Sequence, residues 1–430
     1  MERIVKKISL KNLTLSKKKL LEWGNQHDVF LWLDSNDYPQ KYTEFSSVLA
    51  LGAYSQLNCN HTNAFEKLKQ YRNEVKDYIF GYLGYDLKND TENLTSTNFD
   101  GLHFPDLYFF QPKKLFFIKE NSIEQLYLEA FSNELESDLE TILKLDSSQK
   151  HNDFEVKIHK RITKKHYLET IKSIQDHIHR GDIYEVNFCQ EFYAEDAIIN
   201  PLEVYFHLNE ISKPPFAGFL KLEDKFILSA SPERFVRKKG NKVISQPIKG
   251  TAKRSANSKT DKELAIDLAN DPKERSENIM IVDLVRNDLA KTAIKGSVTV
   301  EELCKVYSFK QVHQLISTVT AEVAETVDPI DIVKSLFPMG SMTGAPKIAA
   351  MKIIEEMEST KRGVYSGAVG YFSPIHDFDF NVLIRSILYN NTNKYLSYTV
   401  GGAITAQSDP EKEYEECLIK AIAMKKALKS

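Results

Sequence analysis

Two strand-like runs, Phe226-Ile-Leu-Ser-Ala-Ser231-Pro232-Glu233 and Lys242 to Thr251, flank Gly240-Asn241, a dipeptide that closes tight antiparallel turns. Together they commit the middle of the chain to a β-hairpin. If these two residues form the loop, residue 239 pairs with 242, and the same register sets Glu233 opposite Ile248 and beside Lys249. Pro232 and Pro247 each remove a ladder donor at this level, so the hairpin is expected to open here and free the acid and the amine into a cleft. The spacing alone leaves two readings open, a plain cross-strand ion pair and a catalytic pair facing one substrate.

The rest of the pattern predicts an α+β fold with much antiparallel pairing. Residues 1–150 carry short strand-like runs such as Val29-Phe-Leu-Trp-Leu33 and Leu107-Tyr-Phe-Phe110, without a reactive cluster. The polar stretch Asp146-Ser-Ser-Gln-Lys-His-Asn-Asp153 reads as a linker to a second region, 151–430. There, Leu168, Ile171, Ile174 and Ile178 recur at helical spacing, and Gly181 stops that helix before the strand Ile183-Tyr-Glu-Val-Asn-Phe188. Helices are expected at about 260–289, 328–337, 346–358 and 410–428, alternating with strands at about 226–236, 242–249, 364–372, 380–389 and 396–404.

Composition removes several function classes. Over 430 residues the net charge is -3, which gives no electrostatic case for nucleic acid or an anionic membrane. The lysine-rich start (Lys6, Lys7, Lys11, Lys17 to Lys19) reads as a solvated face. No apolar run reaches the length of a membrane span and the N-terminus lacks a signal-peptide core, so a cytoplasmic location is expected. Cys59, Cys189, Cys304 and Cys417 are widely separated and form no C-x-x-C pair, which disfavours structural zinc and a disulfide framework.

Asp271-Pro272 and Asp409-Pro410 both read as helix starts, an N-cap acid followed by proline at the first helical position. Each opens a helix with glutamates three apart, Glu274 and Glu277 in the first, Glu413 and Glu416 in the second, so each pair shares a face. Acids at a helix start favour the macrodipole. If the pairs converge, a hard divalent cation such as Mg2+ would relieve their repulsion. Arg385 lies in the strand Phe380-Asn-Val-Leu-Ile-Arg-Ser-Ile-Leu-Tyr389, apolar on both faces, and a buried guanidinium left uncompensated costs roughly 3–5 kcal/mol. Its partner is either an internal acid or a substrate carboxylate. Tyr365, among Gly363, Gly367 and Gly370, and the exposed backbone of Gly401-Gly402 are candidates for the border of the same pocket. Gly340-Ser-Met-Thr-Gly344-Ala-Pro-Lys347 has the wrong spacing for a phosphate loop and is read as a strand-to-helix turn, with Pro346 in the first turn of the next helix.

Ordered motifs from about residue 160 to 425 carry a family resemblance: Gly181-Asp182-x-Tyr184, Ser231-Pro232-Glu233, Pro247-Ile-Lys-Gly-Thr251, Glu274-x-x-Glu277 leading into Asp283-Leu-Val-Arg-Asn-Asp288, Gly344-Ala-Pro-Lys347, Arg362-Gly-x-Tyr365-Ser-Gly-Ala-Val-Gly370, Ile384-Arg385 and Asp409-Pro-Glu-x-Glu-Tyr414. The chain resembles the chorismate-utilising enzymes, which include anthranilate synthase component I, aminodeoxychorismate synthase component I, and the isochorismate and salicylate synthases. The resemblance implies two large antiparallel β-sheets flanked by helices, with residues 1–150 as the N-terminal region of a component I chain and 151–430 as the chorismate-binding catalytic domain. It implies Glu277 and Glu416 as Mg2+ ligands, with Glu274 and Glu413 holding the waters of the ion, and the ion gripping the ring carboxylate of chorismate. Tyr365, Arg385, Lys420 and the Gly402 backbone would hold the enolpyruvyl carboxylate, and Thr251 and His313 would line the site.

Two positions sort the branches of that family. Glu185 stands where the isochorismate and salicylate synthases resemble one another in carrying a water-activating lysine, which argues against water addition. Lys249 stands where anthranilate synthases typically have alanine, as in the aminodeoxychorismate synthases. The implied activity is therefore amination of chorismate at C4 in 4-aminobenzoate and folate biosynthesis; the alternatives are anthranilate formation and a catalytically silent chorismate- or partner-binding subunit. Leu33-Asp34-Ser35 departs from the tryptophan-sensing Leu-Leu-Glu-Ser motif, so inhibition by tryptophan is not expected. In the implied chemistry Glu233 protonates the departing hydroxyl, Lys249 attacks C2, and ammonia then enters at C4. A lysine at its ordinary pKa is neutral in roughly one molecule in 2,500 at pH 7, so the closed, metal-bound site is expected to lower Lys249 by about three pH units through burial and the nearby cation. No cysteine, histidine and glutamate glutaminase unit is recognisable, so the resemblance implies ammonia from a separate glutaminase subunit.

Overall fold

The computed structural model describes residues 2–9, 16–39, 41–119, 121–146, 156–310 and 312–429. Lys11 and, from residue 147 onward, the expected linker lie outside the described residues. Among those described, the named strands form one hydrogen-bonded network with two antiparallel arms. The first arm runs through Arg3–Ser9, Ser122–Leu128, Leu107–Lys119, Ser47–Cys59, Val29–Asp34, Phe216–Leu222, Lys225–Ser231, Ser386–Asn390, Tyr395–Ile404 and Glu185–Ala194. The second leaves the opening residues of Leu107–Lys119 and passes through Ile79–Leu83, Ala368–Phe372, Phe378–Val382, Arg234–Lys239, Lys242–Gln246 and Val312–Glu322, which also pairs with Ile248–Lys253 and Thr299–Ser308. These arms are the two large sheets of the expected fold, joined by the long strands Ser47–Cys59 and Leu107–Lys119. Strands from before and after residue 150 pair directly in both arms.

Burial on both faces explains why the central strands read as unbroken apolar runs. Leu31, Val48 and Ala50 enter one core together with the second arm. Their neighbours Phe30, Trp32, Leu49 and Leu51 enter the other, where helices Lys17–Gly24, Lys164–His179, Pro201–Ser212, Lys347–Met357 and Pro410–Ala427 pack. Alternation along a strand thus divides its residues between two cores rather than between core and water.

The chain crosses between arms at two places that matter for the site. Lys225–Ser231 belongs to the first arm and Arg234–Lys239 to the second, so the crossing falls on Pro232-Glu233. Phe378–Val382 and Ser386–Asn390 divide in the same way, crossing at Leu383-Ile384-Arg385. The unbroken strand expected at 380–389 is therefore corrected: Arg385 takes φ 53°, a left-handed conformation that costs a side-chain-bearing residue about 1–2 kcal/mol. Val382 N donates to Glu233 O at 3.0 Å and Ala230 N to Arg385 O at 3.2 Å, tying the two crossings together.

Other boundaries shift for local reasons. Lys239 does face Lys242, but a bulge between Arg234 and Arg237 sets Arg234 opposite Gln246, one residue off the simple register. The single helix expected at 260–289 is two, Ser258–Asn270 and Pro272–Ala290, because Asp271 leaves helical geometry to cap the second. Pro346 is the N-cap of Lys347–Met357 and does not lie within its first turn. No described helix is long and apolar enough to cross a membrane.

Candidate active site

A cavity opens at the seam between the arms, and the bulge in Ile248–Lys253 turns Lys249 toward it. Ile248 opposes Ile316 whereas Thr251 opposes Gln314, so three steps on one strand match two on the other. Gly250 absorbs the extra residue with φ 95°; a Cβ there would lie 3.0 Å from Leu315 Cδ1 and 3.1 Å from Glu274 Oε2. Glu233 enters the same cavity from the first crossing. Ser341 Oγ donates to Glu233 Oε1 at 2.6 Å, and burial pushes the Glu233 carboxyl up to about 7 against that hydrogen bond and the charge of Lys249.

The protein groups around the amine favour its charged form. Burial disfavours its charged form, but the carboxylates of Glu185 and Glu277 more than offset this, and Lys249 titrates above its ordinary range. Glu185 Oε1 lies 2.9 Å from Lys249 Nζ, with both side chains buried. Lys249 therefore rests as an ammonium ion. The expected depression belongs to the closed, metal-bound site; the protein groups facing Lys249 are acids, and on their own they favour the ammonium.

Helices Pro272–Ala290 and Pro410–Ala427 begin as predicted, with Asp271 and Asp409 accepting from backbone N–H groups of their first turns. They project Glu274, Glu277, Glu413 and Glu416 into the one cavity. Two lysines lie among them. Lys273 Nζ is 3.7 Å from Glu277 and 3.3 Å from Glu413, while Lys420 Nζ is 2.5 Å from Glu416. Burial raises Glu277 to about 8 and also raises Glu274, the latter aided by Glu416. Glu277 Oε1 is buried without a hydrogen-bond partner. Among the described residues no three acid, histidine or cysteine side chains already form a metal cage, since the lysines hold the carboxylates apart. The donor set nevertheless suits a hard cation: four carboxylates, two of them costly to ionise and one with an idle oxygen.

On the opposite wall Arg385 is buried, and among the described residues no carboxylate comes within 4.0 Å of its guanidinium. Its one hydrogen bond runs from Nη1 to the Lys420 carbonyl at 3.3 Å. Burial lowers its pKa, opposed by Tyr365 and Glu416. Tyr365 and Lys420 stand beside it in the cavity, and Lys420 Nζ donates to Gly401 O at 2.9 Å. Gly401 lines the cavity, and a Cβ at Gly402 would point at Glu413 Oε2 (3.4 Å) and Lys420 Nζ (3.7 Å). A cationic, donor-rich wall thus faces an acidic one.

Comparison with known proteins gives this arrangement a context. The profile of the chorismate binding enzymes matches residues 28–426. The chain belongs to that family. It is 40% identical over 267 residues to aminodeoxychorismate synthase component 1 of Escherichia coli (strain K12), a match covering 62% of this chain and 58% of that protein. The E. coli match thus spans less than two thirds of its relative. With aminodeoxychorismate synthase component 1 of Bacillus subtilis (strain 168) the identity is 33% over 360 residues, 81% of this chain and 76% of the other. The structure of anthranilate synthase component I from Streptococcus pneumoniae TIGR4 superposes with a TM-score of 0.78 at 26% identity, covering 90% of this chain and 94% of that one.

Within this chorismate-binding enzyme, eleven of the twelve candidate residues line or directly border the cavity. His313 is the exception. Its neighbour Gln314 faces the cavity opposite Thr251, so strand alternation turns His313 to the other side, where Nε2 meets Asp261 Oδ1 at 3.0 Å and Nδ1 meets Ser308 Oγ at 2.8 Å. Substituting His313 by alanine is expected to leave kcat within about threefold of the parent while lowering the melting temperature, through roughly 1–2 kcal/mol of lost buried hydrogen bonding. Kinetics and thermal melts of one preparation check both.

Sequence reasoning missed the residues that hold the charges in place. Lys273 is four residues before Glu277 on one helix face, a signal that was present. Ser341 lies in the segment read only as a turn. Glu185 as partner of Lys249 left no local trace, since the contact joins strands 64 residues apart.

Proposed function

We propose that the chain aminates chorismate at C4, giving 4-amino-4-deoxychorismate, with ammonia delivered by a separate glutaminase subunit. The observation that carries this reading is Lys249 Nζ projecting beside Glu233 into a cavity with a carboxylate cluster on one wall and an unpaired arginine on the other. Glu277 and Glu416 would hold Mg2+ directly and Glu274 and Glu413 through water; when bound, the ion supplies positive charge that grips the ring carboxylate. Arg385, Tyr365, Lys420 and the Gly402 backbone hold the enolpyruvyl carboxylate, which satisfies the buried guanidinium. Thr251 borders the ring.

The residues then divide the chemistry. Lys249 in its neutral form attacks C2, the ring double bonds shift, and the C4 hydroxyl leaves as water with the proton of Glu233. Ammonia attacks C4, the double bonds return, the N–C2 bond breaks to release Lys249, and the extra proton on the new C4 nitrogen restores Glu233. Because Glu233 acts as the acid, its proton must be present, and it is lost as pH rises through about 7. At constant free ammonia, kcat/KM is expected to fall about tenfold per pH unit above that value; Glu233→Gln, which cannot give up a proton, is expected to lose at least about 10²-fold at every pH. Initial rates from pH 6 to 9 check both.

Identifying the product of chorismate, Mg2+ and ammonium with the purified chain tests the function. A product that retains the enolpyruvyl group supports the reading. Fluorescent anthranilate with released pyruvate would replace it with the chemistry of the anthranilate synthases, and absence of turnover would leave a binding role.

A further inference from the structure

We infer that Glu185 is the proton acceptor for Lys249, the group that converts the resting ammonium into the attacking amine. This rests on the proposed role of Lys249 and adds the partner that role requires. Glu185 Oε1 is 2.9 Å from Lys249 Nζ, the residue is 0% exposed, and neither carboxylate oxygen accepts an aligned hydrogen bond. Buried carboxylates that only brace a fold are treated differently in this molecule. Glu358, also buried, accepts from Arg362 at 2.6 and 2.9 Å and from Cys189 N at 2.8 Å. Among the described residues, the Glu185 carboxylate has the Lys249 ammonium as its one partner.

Its position is fixed from below. Glu185 pairs with Ala345, and a Cβ on Gly344 would come 2.2 Å from the Glu185 carbonyl oxygen, so the backbone there is closely clamped. Asn187, two residues on and therefore on the same strand face, lines the cavity. The charged groups facing Lys249 are Glu185 from the strand Glu185–Ala194, Glu277 from the helix Pro272–Ala290 and Glu233 from the crossing between arms. Glu233 has a proton to give, and Glu277 faces the lysine and carboxylate cluster, so Glu185 is the one left to receive a proton.

The step balances within the pair. One N–H bond of the Lys249 ammonium breaks and its proton forms an O–H bond with Glu185, leaving a neutral amine beside a neutral acid. The freed electron pair makes the N–C2 bond. When ammonia later displaces the lysine from the ring, Glu185 returns the proton and the ion pair reforms. The supply of neutral amine is then set by sharing of one proton inside the cavity and is insulated from bulk pH.

The test is the rate of the first half-reaction, chorismate and Mg2+ without ammonia, followed by rapid quench and intact-protein mass for the parent, Glu185→Gln, Glu185→Asp and Lys249→Ala. The Glu185→Gln variant is expected to form the lysine adduct about 10²-fold more slowly than the parent at pH 7, the ratio of variant to parent rate rising about tenfold per pH unit because the variant must lose the lysine proton to solvent. Glu185→Asp, which keeps a carboxylate, is expected to hold the parental pH dependence, and it decides the matter if the glutamine variant does not fold. Adduct formation by Glu185→Gln at the parental rate or faster at pH 7 overturns the inference, as does a rising ratio for Glu185→Asp. Undiminished turnover by Lys249→Ala in the presence of ammonium overturns instead the nucleophile reading beneath it.

Discussion

Lys249→Ala is expected to lower formation of the C4-aminated product by at least about 10³-fold, with chorismate binding changed far less. The size follows from what the residue supplies: without the amine, two displacements become one direct attack by ammonia, and the covalent route closes. A second effect accompanies it. Removing one member of a buried ion pair leaves the Glu185 carboxylate uncompensated, which costs about 3–5 kcal/mol unless that acid takes up a proton. The melting temperature of the variant should therefore fall at neutral pH and recover partly in acid. Rates normalised to folded protein separate this loss from the chemical one.

Glu277→Gln is expected to do the opposite to stability while also abolishing turnover. Burial holds Glu277 near 8, above its ordinary 4.5, so the unfolded chain carries fewer protons there than the folded one between those values. Stability accordingly falls as pH rises from about 4.5 and levels off above 8. Neutralising the group removes that cost, an expected gain of about 3 kcal/mol at pH 7 and no gain below pH 4.5. Mg2+ should raise the melting temperature of the parent and not that of Glu277→Gln. Thermal melts with Mg2+ and with chelator, at pH 4 and pH 7.5, measure all of this. A more stable, inactive variant is what a site built from costly charges predicts.

The contrast between these two residues reflects what a linear sequence can carry. Glu274, Glu277, Glu413 and Glu416 were legible because helix capping and three-residue spacing are local, and the caps at Asp271 and Asp409 formed as read. Glu233 and Lys249 were legible because one turn and two prolines fix their neighbourhood. Resemblance to the family supplied the two-sheet fold, which periodicity alone did not. The misread features all depend on distant pairing. His313, placed at the site by resemblance alone, falls on the far face because its neighbour Gln314 is the residue paired with Thr251, a pairing no local signal shows. Arg385 was read inside a continuous strand because nothing local marks a crossing between arms. The ion pair of Lys249 left no sign in the sequence because its partner Glu185 arrives from a strand of the other arm.

The account depends on Lys249 becoming covalently attached to the substrate ring inside the acidic cavity. Intact mass followed by peptide mapping of the protein after incubation with chorismate and Mg2+, in the absence of ammonia, examines this directly. The expected result is one equivalent of a chorismate-minus-water adduct on the peptide containing Lys249, discharged when ammonium is added. An unmodified Lys249 in a preparation that turns chorismate over with ammonium would contradict it.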